Sequence, residues 1–298
     1  MTLPAFSQKD FQKGQGQAIV TVLPSHPGED VATISQQDIS VKVNGKVTAV
    51  TGWTPVKGPV ELVLLIDGSA RTSLGQEFND ISTFVKEMPA NTKMTIAYME
   101  NGRAAITGPL TLDASQVLNG LRVPSGVPGS NASPYFCLSD LAKHWPSDDT
   151  SARRAVVMVT DGVDNYERQY DPDDPYVQTA ITDSVRAGLV VYSIYWRDMG
   201  RLNSTAYETS AGQNLLSQVA QATGGTSYWE GIGNPVSFAP YFKDLRRRLN
   251  HQFALSFEAP YDGKPKVENV KLEIKTKSVK VDAPQMVFVG RPAVALVE

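Results

Sequence analysis

The sequence contains little cysteine and histidine and has no long apolar run. Cys137 is the only cysteine among 298 residues, so no internal disulfide bond is possible. Its lone, apolar-flanked position is typical of a core residue rather than a nucleophile. No apolar stretch approaches the roughly 20 residues that a membrane-spanning helix needs. The sequence therefore predicts no membrane span.

The motifs of several common enzyme classes are also missing. The chain has no P-loop, no Gly-x-Ser-x-Gly elbow, no His-Glu-x-x-His and no Cys-x-x-Cys. We therefore expect a protein that is not an enzyme. A hydrolase that uses two acids and a metal-bound water stays as an alternative.

The charge of the chain is close to balanced. It carries 28 Lys and Arg residues against 31 Asp and Glu residues, a formal net charge of −3 and a pI near 5.7. An acidic protein of this kind is not expected to bind nucleic acid or an anionic membrane non-specifically. With 41% hydrophobic and 20% charged residues, its composition is typical of globular domains.

Two apolar runs each end in a carboxylate. Residues 62–66 form one run and are followed by Asp67, and residues 155–159 form another, followed by Thr160 and Asp161. Continuous apolar runs of this length predict parallel strands that are buried on both faces. Ligands bind at the carboxyl edge of such sheets, where the strand order reverses.

The sequence therefore predicts a polar crevice at this edge. If the two strands are neighbours, Asp67 and Asp161 face one crevice, with Ser69 and Thr160 beside them. Carboxylate and hydroxyl oxygens are hard ligands that suit Mg²⁺, Mn²⁺ or Ca²⁺.

The pattern of strands and helices divides the chain into parts. Residues 59–249 alternate strands and helices, which predicts a mostly parallel α/β sheet flanked by helices. Residues 17–58 and 250–298 alternate apolar and polar positions and contain Asn-Gly and Asp-Gly turns. Each β segment alone has too few strands to be stable, so we expect them to form one β-sandwich with the α/β domain inserted. Residues 1–16 are expected to be disordered or derived from an expression vector.

Residues 59–249 resemble a von Willebrand factor A domain. The β segments on either side resemble the bacterial VWFA-related architecture, so the resemblance covers nearly the whole chain. Several motifs in order carry it, namely Leu64–Ser69, Val157–Asp164, Val191–Ile194 and Ala222–Gly225.

The resemblance implies a Rossmann-like sheet with a metal-ion-dependent adhesion site (MIDAS) at its carboxyl edge. In that family the metal accepts a carboxylate from a partner protein, and no bond is broken. Asp67 and Ser69 match the start of the Asp-x-Ser-x-Ser motif, and Asp161 matches the aspartate of Thr-Asp-Gly. The threonine loop is degenerate and offers Ser130 or Ser133, of which we favour Ser133.

The chain departs from the family pattern at Arg71, which replaces the second serine of the motif. A guanidinium there would repel a divalent cation and could pair with Asp67 or Asp161 in its place. The site would then be inactive and the chain a structural module. Tyr135 is expected either to form an apolar wall of the crevice or to pack in the core. The residues predicted to contact a partner are Arg71, Ser130, Tyr135 and Asp164, the last of them near the edge and solvated.

The sequence of the N-terminus is compatible with two cellular locations. Residues 1–17 lack the apolar segment of a signal peptide. Either the protein is cytoplasmic, or a signal has been removed and Met1 is expression-derived. The resemblance favours export, to the periplasm or outside the cell.

Overall fold

The computed structural model describes most of the chain. The described residues are 12–26, 28–29, 31–70, 72–124, 133–164, 166, 170–197, 205–231, 233–276 and 278–290, with only the backbone at Gln12, Lys13, Ser69 and Thr72. The strands are β1 (Gln12–Pro24), β2 (Ile39–Val43), β3 (Lys46–Thr48), β4 (Val50–Pro55), β5 (Val60–Asp67), β6 (Thr92–Glu100), β7 (Arg103–Ile106), β8 (Arg153–Thr160), β9 (Leu189–Tyr195), β10 (Ser227–Tyr228), β11 (Gln252–Tyr261), β12 (Lys266–Ile274), β13 (Val279–Asp282) and β14 (Met286–Val289). The α-helices are α1 (Phe78–Lys86), α2 (Ala114–Asn119), α3 (Pro134–Lys143), α4 (Pro175–Ala187), α5 (Ala206–Thr223) and α6 (Ala239–Leu249).

Strands β5 to β10 form the central sheet of the α/β domain. Their order is β10-β9-β8-β5-β6-β7, and every neighbouring pair is parallel except β6 and β7. All eight residues of β5 are buried, because helices cover both faces of the sheet. Helices α1, α2 and α6 pack on one face, and α3, α4 and α5 pack on the other. The predicted α/β fold is confirmed.

The strand order reverses at β5. The chain leaves β5 to form β6 on one side and later returns to form β8 on the other side. The carboxyl ends of β5 and β8 therefore flank the topological switch point, where ligands bind in open α/β sheets.

The N-terminal and C-terminal segments form one antiparallel sheet, as the sequence predicts. The strand order is β3-β2-β12-β14-β1-β11-β4, and β13 pairs with β1. The first half of β12 pairs with β14 and its second half with β2, so the sheet folds over into two layers. The core between the layers includes Val22, Val41 and Phe257. Strand β1 begins at Gln12, before the predicted start at residue 17.

The two connections between the domains lie side by side. Strand β4 pairs with β11, and Pro55 lies opposite Phe253. The α/β domain, which begins with β5 and ends with α6, is therefore inserted between two neighbouring strands. None of the described helices has the length and apolar character that crossing a membrane requires.

The hairpin turns follow from their sequences. Asn44 and Gly45 join β2 to β3, and Asn101 and Gly102 join β6 to β7. All four have positive φ angles, between 48° and 78°. A two-residue turn of this kind matches the right-handed twist of the strands, and asparagine and glycine tolerate its backbone conformation.

Candidate functional site

Two of the predicted site residues lie at the ends of the central strands. Asp67 is the last residue of β5, and Asp161 directly follows β8. Both carboxylates are more than nine-tenths buried. The hydroxyl of Thr160 donates a 2.7 Å hydrogen bond to Oδ2 of Asp67, which joins the two strand ends. The structure therefore brings the acids to one edge of the sheet, as the spacing of the apolar runs predicts.

The beginning of α3 lies against these strand ends. Ser133 is the N-cap of α3, because its Oγ accepts a hydrogen bond from the backbone N–H of Tyr135. The hydroxyl of Ser133 also donates a 2.9 Å hydrogen bond to Oδ2 of Asp164. Oδ1 of Asp164 accepts a hydrogen bond from the backbone N–H of Tyr166. One carboxylate thus connects α3 to the loop after β8.

The prediction that Asp164 is solvated is wrong. Only 1% of this residue is exposed, since Ser133 and the loop residue Tyr166 enclose its carboxylate. A buried carboxylate of this kind positions neighbouring elements through its hydrogen bonds. Asp164 is therefore a positioning residue in this structure, and its contact with a partner stays a prediction.

Tyr135 also packs in the core, which is one of the two alternatives the sequence leaves open. Its side chain is fully buried, and its hydroxyl donates a 2.8 Å hydrogen bond to the carbonyl of Gly162. Burial, followed by the carboxylates of Asp164, Asp161 and Asp174, raises the pKa of the Tyr135 hydroxyl well above its ordinary value. The hydroxyl stays protonated and holds the turn after Asp161. The contact between Tyr135 and a partner stays a prediction.

Cys137 lies in the first turns of α3 and is buried. Burial, followed by the carboxylates of Asp67 and Asp140, raises the pKa of its thiol well above the ordinary value. A thiol held protonated is a poor nucleophile. Cys137 is a core residue, as its apolar neighbours in the sequence indicate.

Helix α5 supports the turn after β8 from the other side. Gly162 has a φ angle of +69°. A Cβ atom added to Gly212 of α5 would lie 2.1 Å from the carbonyl oxygen of Asp161. Sequence reasoning missed Gly212, although a glycine inside a helix often indicates a close backbone approach.

Three predicted site residues are incompletely described. Arg71 and Ser130 lie outside the described residues, and Ser69 is described by its backbone alone. The predictions that Ser69 binds a metal and that Arg71 and Ser130 contact a partner therefore stay predictions.

An aromatic cluster of Phe136, Tyr166 and Tyr176 lies beside α3 and the loop after β8. Its three ring pairs have centroid distances of 4.7 to 5.9 Å. Tyr166 is 62% exposed and Tyr176 is 38% exposed. Because Asp164 binds both Ser133 and the backbone of Tyr166, the cluster is fixed relative to the strand ends. Exposed aromatic residues of this kind are enriched at protein interfaces.

The α/β domain has one antiparallel edge strand, helices on both faces and a switch point at β5. Its fold is von Willebrand factor A-like.

No family model matches the chain, and no curated protein matches it. Among solved structures, the chain is similar to an aerotolerance-related membrane protein from Bacteroides fragilis, with 18% identity, a TM-score of 0.46 and coverage of 64% of this chain and 98% of that chain. It is also similar to the pilus adhesin SpaC from Lactobacillus rhamnosus GG, with 8% identity, a TM-score of 0.45 and coverage of 91% and 49%. Proximal thread matrix protein 1 from the mussel byssus, solved with a zinc-occupied MIDAS motif, has 13% identity, a TM-score of 0.43 and coverage of 70% and 49%.

The donor atoms at the candidate site suit a hard cation. Asp67 and Asp161 supply carboxylates, while Ser133 and Thr160 supply hydroxyl oxygens that each keep one lone pair beside the backbone hydrogen bond they accept. Within the described part of the chain, no three His, Cys, Asp or Glu side chains form a metal-binding group. A cation would therefore need the hydroxyl groups and water as its remaining ligands.

We expect Ser133→Ala to lower the free energy of unfolding by about 1–2 kcal/mol. The substitution removes the N-cap of α3 and the hydroxyl that donates to the buried Asp164. Urea unfolding followed by circular dichroism measures the change. Ser184→Ala is the matched control, because Ser184 is a buried helical serine whose hydroxyl has no hydrogen-bond partner among the described residues. Equal stability of the two variants would contradict the role given to Ser133.

Proposed function

We propose that this chain is a non-enzymatic interaction module that captures a carboxylate-bearing loop of a partner protein. The observation that carries the proposal is the pair of buried acids, Asp67 and Asp161, at the switch point of the sheet. Buried carboxylates are costly unless they are compensated by hydrogen bonds, a cation or another charge. Their placement at the ligand-binding edge supports a binding role.

The residues of the site have different roles in binding. Asp67, Asp161, Ser133 and Thr160 would hold a divalent cation, which supplies an open position for a partner carboxylate. Thr160 orients Asp67 through its hydroxyl, and Tyr135 holds the turn after Asp161 through Gly162. The cation is expected to bind with micromolar to millimolar affinity, on the order of other carboxylate-coordinated cations.

The aromatic cluster supports a protein as the partner. Tyr166 and Tyr176 expose apolar ring surface next to the candidate site, and their hydroxyl groups can donate hydrogen bonds. A partner loop that places a carboxylate at the site would cover these rings with its neighbouring residues. The β-sandwich would act as a scaffold or as a second contact surface.

Titration calorimetry with Mg²⁺ and with Mn²⁺ tests the proposal on wild type, Asp67→Asn and Arg71→Ser. We expect wild type to bind and Asp67→Asn to lose binding, because the amide removes a charged ligand but keeps the acceptor for Thr160. Glu61→Gln is the matched control, since Glu61 is a buried acid at the opposite end of the same strand and accepts a hydrogen bond from Trp145. It should bind as wild type does.

Two other outcomes separate the alternatives. Binding by Arg71→Ser alone would mean that the arginine replaces the metal and that the natural chain is a module with an inactive site. No binding by any variant would refute the metal-dependent proposal. Turnover in a screen of phosphatase and esterase substrates would favour the hydrolase alternative instead.

A further inference from the structure

A cleft separates the two domains on the side opposite the candidate site. It lies at the amino ends of β8 and β9 and has a volume of about 650 Å³. The end of α4 and residues 150–154 form one wall, and β1 and β14 form the other. Small-molecule sites occur preferentially at domain interfaces and have volumes of roughly 300–1,000 Å³. The cleft has the location and size of a ligand site.

A break between β13 and β14 accounts for the cleft. Strand β1 pairs with β14 at Gly16 and with β13 from Thr21 onwards, so residues 17–20 have β11 as their only strand partner in the described sheet. Pro284 lies in the break and has no backbone N–H to donate to β1. The next residue, Gln285, donates its N–H to Gln221 of α5 instead. The chain therefore turns away from β1 and leaves its edge facing the cleft.

Most of the cleft wall is apolar. Ile19, Val185 and Val190 contribute from β1, α4 and β9, and Met286 and Phe288 contribute from β14. Apolar side chains from two domains thus face one space, which suits a ligand with an extended apolar body.

The charged residues of the wall are all cationic. Arg153 and Arg154 line the cleft, and no Asp or Glu among the described residues does so. The guanidinium of Arg154 also donates to the carbonyls of Ser147 and Asp149. Arg153 is only 8% exposed and forms no ion pair with any described residue, since its guanidinium bonds to neutral acceptors. Burial lowers the pKa of Arg153, which reflects the cost of holding this charge away from water. An anion nearby would offset that cost.

We propose that the cleft binds an amphipathic carboxylate, with its alkyl chain between Val190 and Met286 and its carboxylate towards Arg153 and Arg154. The ligand class is that of a medium-chain or long-chain fatty acid. This site is independent of the proposed metal-dependent site, because the two lie at opposite ends of β8. A ligand here would contact both domains and hold them together.

Titration calorimetry of the full chain with decanoate, kept below its micelle-forming concentration, tests the proposal. Decanol is the uncharged comparison ligand. Ala187→Phe narrows the cleft from the end of α4, with Ala239→Phe on the exposed start of α6 as its control. Arg154→Gln removes a charge from the wall, with Arg247→Gln as its control. Arg153 is not varied here, since its guanidinium also joins the two domain connections.

We expect wild type and both controls to bind decanoate, and Ala187→Phe to bind it at least tenfold more weakly. Arg154→Gln should weaken decanoate binding about tenfold and leave decanol binding unchanged. If Ala187→Phe does not fold by circular dichroism, Ala18→Leu on β1 takes its place. The proposal would be overturned if wild type did not bind decanoate. It would also be overturned if folded Ala187→Phe bound decanoate as tightly as wild type does. Equal affinity for decanol and decanoate would overturn the assignment of a carboxylate.

Discussion

Replacing Arg153 by methionine is expected to lower the free energy of unfolding by about 3 kcal/mol. The guanidinium of Arg153 donates to the carbonyls of Leu249 and Gly58, at 2.9 and 3.1 Å, and to the side chain of Gln252. Gly58 lies on the connection into the α/β domain, while Leu249 and Gln252 flank the connection out of it. Methionine fills similar volume but leaves the buried acceptors of Leu249 and Gln252 without this donor, while the half-buried carbonyl of Gly58 keeps its bond from Asn91.

The loss should extend to both domains, because Arg153 joins the two connections between them. Urea unfolding followed by circular dichroism and by tryptophan fluorescence measures it. Arg153→Lys keeps the positive charge but lacks the planar set of N–H donors of the guanidinium. We therefore expect it to lower the free energy of unfolding by less than Arg153→Met does. Arg186→Met on the exposed face of α4 is the control and should change the free energy of unfolding by less than about 0.5 kcal/mol. If Arg153→Met changed the free energy of unfolding as little as Arg186→Met does, the role given to Arg153 would be contradicted, because water would then replace its hydrogen bonds without cost.

The sequence predicts the central sheet well because its signal is local. A run such as residues 62–66 has no polar position, so it fits only a strand that is covered on both faces. Strand β9 (Leu189–Tyr195) is likewise buried along its whole length, and Gly188 precedes it with a φ angle of +69°. Because these strands are parallel, the acids that follow the runs lie at the same edge of the sheet.

The start of β1 could not be predicted in the same way. Gly14 and Gly16 lie among polar residues, a composition that is typical of a disordered segment. In the structure the ring of Phe257 lies across Gly16, where an added Cβ atom would be 2.5 Å from it. A partner strand more than 200 positions away makes these glycines part of a sheet, and no local pattern contains that information.

The burial of Asp164 could not be predicted for a similar reason, and the burial of Tyr135 was one of two alternatives. Tyr135 comes two positions after Ser133, and Asp164 lies in the polar stretch that follows β8 in the sequence, which favours an exposed interpretation. Their burial depends on the packing of α3 against the loop after β8, through the hydrogen bonds from Ser133 and to Gly162. The residue types at the site follow from the sequence, but which of them are buried and hydrogen-bonded to one another follows from the fold.

We expect Gly212→Ala to destabilise the protein by about 1–3 kcal/mol and to abolish cation binding at the proposed site. On helix propensity alone, this substitution would stabilise α5 by about 1 kcal/mol, so the predicted sign is opposite. The reason is contact: the new Cβ atom would lie 2.1 Å from the carbonyl oxygen of Asp161 and 3.2 Å from the carbonyl carbon of Gly162. Either α5 or the turn that carries Asp161 has to move.

Urea unfolding and Mn²⁺ titration of the same variant separate these two responses. Gly108→Ala is the control, since an added Cβ atom there meets nothing within 4 Å. If the turn moves, stability falls and cation binding is lost together, because Asp161 leaves its position beside the strand ends. If α5 moves instead, stability falls and binding is kept. A more stable Gly212→Ala variant would contradict the close packing of α5 against the Asp161 turn.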